Sequence, residues 1–386
     1  MNDFTHFGLT ASLIASLKGM QITTPTPVQS ATIPFALAGR DVLASAQTGS
    51  GKTIAYALPL LMHLLKQTEQ TALILTPTRE LATQVHQMLT RLMGASSIKS
   101  VLLIGGAPMQ KQFIALKKRP QLLIGTPGRV NDHLKRGTLS LAKTSFLVVD
   151  EADCMLDMGF EPQLNEIAKY LPTVCQTVMF SATFPSNIEK LARKYLKNPE
   201  RVTIDSAIQE APKIKEEIIR TSAANKFDQL LNQLIERQGS IIIFTRTRRG
   251  AQRLSKDLKS YGHSSDAIHG DLSQGRRDSA IRQFRSGGTR IMVATDVASR
   301  GLDIPHVRHV INYDPPQRRE DYIHRIGRTG RAGSEGHALC LVVSEEHSKW
   351  RGILNIQAAE GEKGVKNSRA HRPNKKRPWM KNGPRR

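Results

Sequence analysis

The sequence predicts two tandem α/β domains, each a parallel sheet with helices on both faces. Three observations carry this expectation. Short β-rich runs alternate with amphipathic helical stretches. The strand runs are almost unbroken in their hydrophobicity, as happens when both faces of a sheet are covered. The alternation breaks once, near residue 205, and then resumes. A length of 386 residues suits two such cores followed by a tail.

In the first half the strand candidates are Asp41–Ala44, Ala72–Thr76, Val101–Ile104, Gln121–Gly125, Phe146–Val149 and Thr177–Ser181. Helical patterns occupy Thr53–Leu65, Arg79–Leu92, Ala152–Met158 and Glu189–Leu196. The segment Asp205-Ser206-Ala207-Ile208-Gln209-Glu210-Ala211-Pro212-Lys213-Ile214 lacks either period. It divides the chain into a first domain over 1–205, a flexible linker over 206–214 and a second domain over 215–345. Strands are then expected at Ile241–Thr245, Ser265–Ile268, Arg290–Ala294, Val307–Asn312 and His337–Val342, with helices at Lys226–Glu236, Arg249–Lys259 and Gln274–Arg285. Periodicity fades after Ser344. Residues 346–386 read as a basic, largely disordered tail, because so polar a stretch cannot offset the entropy of ordering. Trp350 and Trp379 fall in that tail, where either could stack on a base.

The net charge of +23 favours a polyanionic partner. Residues 363–386 contribute ten Lys/Arg and no Asp or Glu, and the rest of the chain is basic as well. Nucleic acid fits this charge better than a membrane, since the tail has no apolar face to insert. No apolar stretch is long enough to span a bilayer, and Met1-Asn2-Asp3-Phe4 does not open a secretory signal, so a cytoplasmic location is expected. The three cysteines, Cys154, Cys175 and Cys340, are too scattered for a zinc site or a disulfide framework and read as free thiols.

Two motifs carry the chemistry. Ala46-Gln47-Thr48-Gly49-Ser50-Gly51-Lys52-Thr53 lies between a strand and a helix. Its glycines let backbone N–H groups approach phosphate oxygens, Lys52 can reach the outer phosphates, and the Thr53 hydroxyl can ligate Mg²⁺. Ala46 stands where the general phosphate-loop pattern has its first glycine. Asp150-Glu151-Ala152-Asp153 follows the apolar run Phe146-Leu147-Val148-Val149. Asp150 at a strand end can hold a Mg²⁺ water, and Glu151 can orient and deprotonate an attacking water. A helix N-cap would explain one of these acids but hardly two adjacent ones. The two motifs together describe a nucleoside triphosphatase.

These segments also resemble a known family. Thr26-Pro27-Val28-Gln29, the phosphate loop, Pro77-Thr78-Arg79-Glu80-Leu81, Thr126-Pro127-Gly128-Arg129, the Asp150–Asp153 run, Ser181-Ala182-Thr183, the run from Ala294 to Asp303, and the run from His324 to Arg331 occur in the order of the DEAD-box RNA helicases. The resemblance extends over residues 4–344 and points to the small bacterial members. It implies two RecA-like domains and an RNA-stimulated ATPase that uses ATP and Mg²⁺. Gln29 would read adenine, with Phe4 stacking on the base and Phe7 as its rival. The family's Gly-aromatic pair before the Pro-Thr-Pro segment is replaced by Gln21-Ile22. Arg328 and Arg331 would be arginine fingers delivered when the lobes close, and Asp303 would accept from the ribose hydroxyls. Ser181, Thr183, Asp153 and His324 would couple nucleotide state to lobe contacts. RNA would be held by Pro77, Arg79, Gly106, Thr126 and Arg129 in the first lobe, and by Thr245, Gln274, Arg277 and Thr295 in the second.

Few aromatics accompany this basic surface, so backbone contact with little sequence preference is expected. The resemblance admits single-stranded RNA or short duplexes, ribosomal precursors and RNA-decay complexes as partners, and a monomer as the working form. A DNA-directed translocase and an ATP-gated RNA clamp or annealing chaperone are the alternatives.

Overall fold

The computed structural model describes residues 3–46, 49–94, 96–182, 184, 186–204, 214–299, 307–330, 335–347 and 350. The first lobe holds seven strands: β1 (Val42–Ser45), β2 (Thr71–Leu75), β3 (Ser100–Leu103), β4 (Leu122–Gly125), β5 (Thr144–Val149), β6 (Gln176–Ser181) and β7 (Glu200–Thr203). They are ordered β3-β4-β2-β5-β6-β1-β7 and every pair is parallel. The second lobe holds β8 (Ile214–Thr221), β9 (Ser240–Phe244), β10 (Ser265–Ile268), β11 (Ile291–Ala294), β12 (Val307–Asn312) and β13 (Gly336–Val343). Their order is β10-β11-β9-β12-β13-β8, again all parallel. The fold is therefore the expected pair of RecA-like parallel-sheet domains.

The unbroken apolar strands serve two cores at once. In the first lobe Ala72, Ile74, Phe146 and Val148 point into one cluster, while Leu73, Leu75, Leu147 and Val149 point into another on the opposite sheet face. In the second lobe Ile241 and Ile243 face one cluster and Ile242 and Phe244 the other. Each fully buried side chain of this kind stabilises its lobe by roughly 1.5–3 kcal/mol.

Two strands escape the sequence reading, and both lie at a sheet edge. β7 carries Glu200 and Arg201, and β8 sets the charged Lys215, Glu216, Glu217 and Arg220 among only three apolar residues. An edge strand with a wet side lacks the continuous hydrophobicity that marks the interior strands. Of the expected linker, Ile214 opens β8, and residues 206–213 lie outside the described residues. The tail expectation also falls outside them, except for Glu346, His347 and Trp350. Trp350 departs from the expectation: it is 2% exposed and packed against the second lobe with Tyr322, Cys340, Val342 and Ile326.

Candidate functional site

The phosphate loop leaves the C-terminal end of β1, with the Ala46 N–H donating to the Ser181 carbonyl at 3.1 Å. Gly49 and Gly51 have φ of 88° and 92°, a left-handed backbone that side chains disfavour. A Cβ on Gly51 would meet Gln29 Nε2 at 2.5 Å. That contact reveals what holds the loop. Gln29 Nε2 donates to the Gly51 carbonyl at 3.0 Å, and Thr26 Oγ1 donates to the Ser50 carbonyl at 2.8 Å. Gln29 Oε1 in turn accepts from the Thr26 N–H at 2.9 Å, so the residue expected to read adenine also braces the loop. One N–H and one lone pair of its amide remain beyond these bonds.

Lys52 opens helix Lys52–Lys66 and is buried, Thr53 beside it is half-buried, and Ser50 is buried just before it. Gln47 and Thr48 lie outside the described residues. Phe4 is 3% exposed in the first-lobe core, its ring 6.1 Å from that of Phe7. The half-buried Phe7 offers more free surface than Phe4.

Asp150 caps β5, its N–H donating to the Leu75 carbonyl at 2.9 Å. Its Oδ2 accepts from the Tyr56 hydroxyl at 3.0 Å, and its Oδ1 is buried with no protein partner. Burial pushes its carboxyl above the usual range, with the Lys52 ammonium opposing. Glu151 follows at φ 53°, in the left-handed region where a β-carbon is strained. Its carboxyl is likewise pushed up by burial, against the pull of Lys52 and of Arg328 from the second lobe. Tyr56 stays a firm donor, because burial and the neighbouring carboxylates hold its phenol far above its ordinary range.

One tie between the acidic motif and the Ser181–Thr183 segment is made by the Ala182 backbone. Asp153 Oδ2 accepts from the Ala182 N–H at 2.9 Å, and Ser45 Oγ donates to the Ala182 carbonyl at 3.1 Å. Ser181 is buried at the end of β6, and Thr183 lies outside the described residues.

In the second lobe, helix Arg319–Ile326 carries His324 and ends just before Arg328. Arg328 is buried and its Nε donates to the His324 carbonyl at 3.3 Å. Arg331 and Asp303 lie outside the described residues. Arg325 anchors this helix. It forks onto both Asp296 oxygens at 2.5 and 2.8 Å, donates to Asn312 Oδ1 at 2.9 Å, and lies over the Phe244 ring.

A cleft of about 350 Å³ runs between the lobes, lined by Pro77, Arg79, Thr126 and Arg129 from the first and by Gly270 and Arg277 from the second. Glu80 forms its floor and binds across it: Arg277 Nε donates to Glu80 Oε1 at 2.7 Å and Gln274 Nε2 at 3.2 Å. Arg79 Nη1 reaches Gln274 Oε1 at 3.4 Å. Gly106, at φ 79°, lets Arg79 lie against it, since a Cβ there would stand 2.3 Å from Arg79 Nη1. Arg129 Nη1 donates to the Ala107 carbonyl at 3.0 Å. Thr245 and Thr295 are not among the residues lining the cleft; both are buried at the ends of β9 and β11.

The sequence reading missed three residues here. Tyr56 lies one helical turn beyond Lys52, a spacing that puts both on one face. Glu80 and Arg325 lie inside quoted motifs, but their partners are distant in the chain.

A phosphate loop, the adjacent acids Asp150 and Glu151 at a strand end, and a second parallel-sheet lobe that carries Arg328 define a two-lobed nucleoside triphosphatase. Residues 26–191 match the DEAD/DEAH box helicase domain family and residues 224–333 the helicase conserved C-terminal domain. The chain is 42% identical over 348 residues to the ATP-dependent RNA helicase DbpA of Bacillus subtilis, a span covering 90% of this chain and 73% of that one. It therefore belongs to the DEAD-box family of ATP-dependent RNA helicases. Among solved structures it is similar to S. cerevisiae Dbp5 bound to RNA and ADP BeF3, with a TM-score of 0.83, 33% identity and 92% of each chain covered. A DEAD box protein from Methanococcus jannaschii is 36% identical, with 92% and 97% of the two chains covered, yet superposes with a TM-score of 0.53. Among the described residues no helix is long and apolar enough to cross a membrane.

Proposed function

We propose that the protein hydrolyses ATP when its two lobes close on single-stranded RNA, and that closure separates short duplexes or remodels RNA–protein complexes. The observation that carries this reading is the buried bond across the lobes from Arg277 Nε to Glu80 Oε1, which holds the second lobe against the one that bears the phosphate loop and the acidic motif. The cleft that joins Arg79 and Arg129 to Arg277 lies between the same two lobes.

The loop N–H groups and Lys52 bind the polyphosphate, while Gln29 and Phe4 or Phe7 take the adenine and Asp303 the ribose. Glu151 accepts the proton of the attacking water, and its raised carboxyl suits it to that task. Arg328 and Arg331 spread positive charge over the developing phosphoryl charge. The unpartnered, buried Oδ1 of Asp150 fits a metal-bound water. Mg²⁺, held by Thr53 and through water by Asp150, would supply charge neutralisation at the phosphates. Asp153 and the Ala182 backbone, with Ser181, Thr183 and His324, pass the state of this site to the lobe interface. Arg79, Arg129, Gln274 and Arg277, with the backbone at Pro77, Gly106 and Thr126, grip the RNA backbone, whose bent path a paired duplex cannot follow. Thr245 and Thr295 border that path from the second lobe.

On this reading the first domain is 1–205 and the second runs from Ile214 to at least Trp350, which packs on it, with the basic residues beyond binding RNA. The protein acts in the cytoplasm as a monomer on structured RNA such as ribosomal precursors or decay intermediates.

Glu151→Gln should lower RNA-stimulated kcat by about 10²–10⁴-fold while ATP and RNA binding persist. A parental turnover rate would remove Glu151 as the base. Stimulation of the parental enzyme by single-stranded DNA as strong as by RNA of equal length would favour a DNA translocase instead.

A further inference from the structure

The helix that leads into Arg328 is held at two anchors. Arg325 makes one through Asp296 and Asn312. Tyr322 and Ile326, one turn apart, make the other. These side chains do not join either main core of the lobe. They belong to a separate small cluster with Cys340, Val342 and Trp350.

Trp350 is the largest member and comes after the last strand. Its ring meets Tyr322 edge-on, with centroids 5.2 Å apart and planes at 82°. The Tyr322 hydroxyl donates to Glu216 on β8. The approach to Trp350 is pinned as well, for Glu346 pairs with Arg246 at 2.6 Å. The indole Nε1 is buried without a hydrogen-bond partner. The site therefore uses the ring's bulk and not its polar edge.

We infer that Trp350 is a positioning residue for catalysis: it wedges the helix Arg319–Ile326 so that Arg328 is presented to the nucleotide when the lobes close. The inference rests on Arg328 acting at the terminal phosphate. It makes the segment after β13 part of the catalytic apparatus, although that segment lies beyond the matched C-terminal domain. Because ATP first binds the other lobe, loss of the wedge lowers turnover without weakening nucleotide binding.

The test uses the full chain with Trp350→Ala, Trp350→Phe, Arg328→Ala and Leu254→Ala, the last opening a cavity in the main core of the same lobe. RNA-saturated kcat, the KM for ATP, the affinity for fluorescent ADP and Tm are measured. Trp350→Ala should lose about tenfold in kcat with KM and ADP affinity within about twofold. Trp350→Phe, which keeps most of the bulk and deletes the unused N–H, should recover kcat to within about threefold of the parent. Leu254→Ala should lower Tm comparably and leave kcat near parental. If Trp350→Ala does not fold, Trp350→Leu is held to the same criteria.

A parental kcat for Trp350→Ala or Trp350→Leu alongside a crippled Arg328→Ala would overturn the wedge alone. Equal kcat loss in Leu254→Ala at matched Tm would also overturn it. A parental kcat for Arg328→Ala would instead reject the arginine-finger reading on which the inference stands.

Discussion

The two lobes share a plan of construction but hold their polar groups differently. In the first lobe the groups close on one another: Gln29 on Gly51, Thr26 on Ser50, Tyr56 on Asp150, Asp153 on Ala182. The phosphate site is thus organised before any partner arrives, which spares reorganisation during the reaction. The second lobe offers arginines, and two of the acids that answer them belong to the first. Arg277 meets Glu80 and Arg318 meets Asp157. One half is a preformed receptor. The other contributes Arg277 and Arg318, which meet Glu80 and Asp157 only in the docked arrangement, so closure is a population that ligands can shift.

The deepest of these cross-lobe contacts should show the largest effect. Glu80 and Arg277 are only 5% and 7% exposed. Arg277→Ala leaves Glu80 a buried carboxylate with Gln274 as its remaining cross-lobe donor. Breaking such a pair costs about 3–5 kcal/mol, which sets an expected loss of about 10²–10⁴-fold in RNA-stimulated kcat/KM. Adding Glu80→Gln should restore part of it, because the stranded charge is gone. ADP binding to the first lobe should not change. A parental response to RNA in Arg277→Ala would mean that the lobes do not work through this contact.

The matching lesion inside the receptor half is smaller and has a different signature. Tyr56→Phe removes a buried hydrogen bond to Asp150 and leaves the ring in place. A hydrogen bond to a charged group is worth about 1.5–3 kcal/mol, so kcat should fall by about 10- to 100-fold. The deficit should be the same with and without RNA, since the contact is wholly within one lobe. An RNA-dependent deficit would blur the distinction between the halves.

How much of this was legible in the sequence follows the same division. Interior strands such as β2, β5 and β9 announce themselves because both of their faces are dry, whereas the edge strands β7 and β8 do not. The phosphate loop and the Asp150–Asp153 run are legible because local backbone and strand-end position create them. Their wiring is not. Tyr56 finds Asp150, and Glu80 finds Arg277, only after the chain has folded over long separations. Composition assigns Trp350 to the basic tail, since a window average cannot see one aromatic docking under a helix. The bond from the Ala182 N–H to Asp153 could not be read from the sequence, because a backbone donor carries no residue signature.

The exposed cross-lobe pair gives the smallest effect and the sharpest limit on the comparison. Arg318 Nη1 lies 2.7 Å from Asp157 Oδ1, with side chains 49% and 17% exposed, and Arg318 also binds Asp321 within its own helix. Water screens such a pair, and its net worth is about 0.2–1 kcal/mol. Arg318→Ala should therefore lower RNA-saturated kcat by no more than about fivefold at low ionic strength. The gap to the parent should close as salt approaches about 1 M, where the Debye length falls to about 3 Å. The Arg277→Ala deficit should persist under the same salt, because that pair is shielded from solvent. If Arg318→Ala proved as costly as Arg277→Ala, or as indifferent to salt, burial would not be what ranks the contacts between the lobes. The second lobe would then have to be seen as preformed in its own right, with its arginines fixed before closure and not by it.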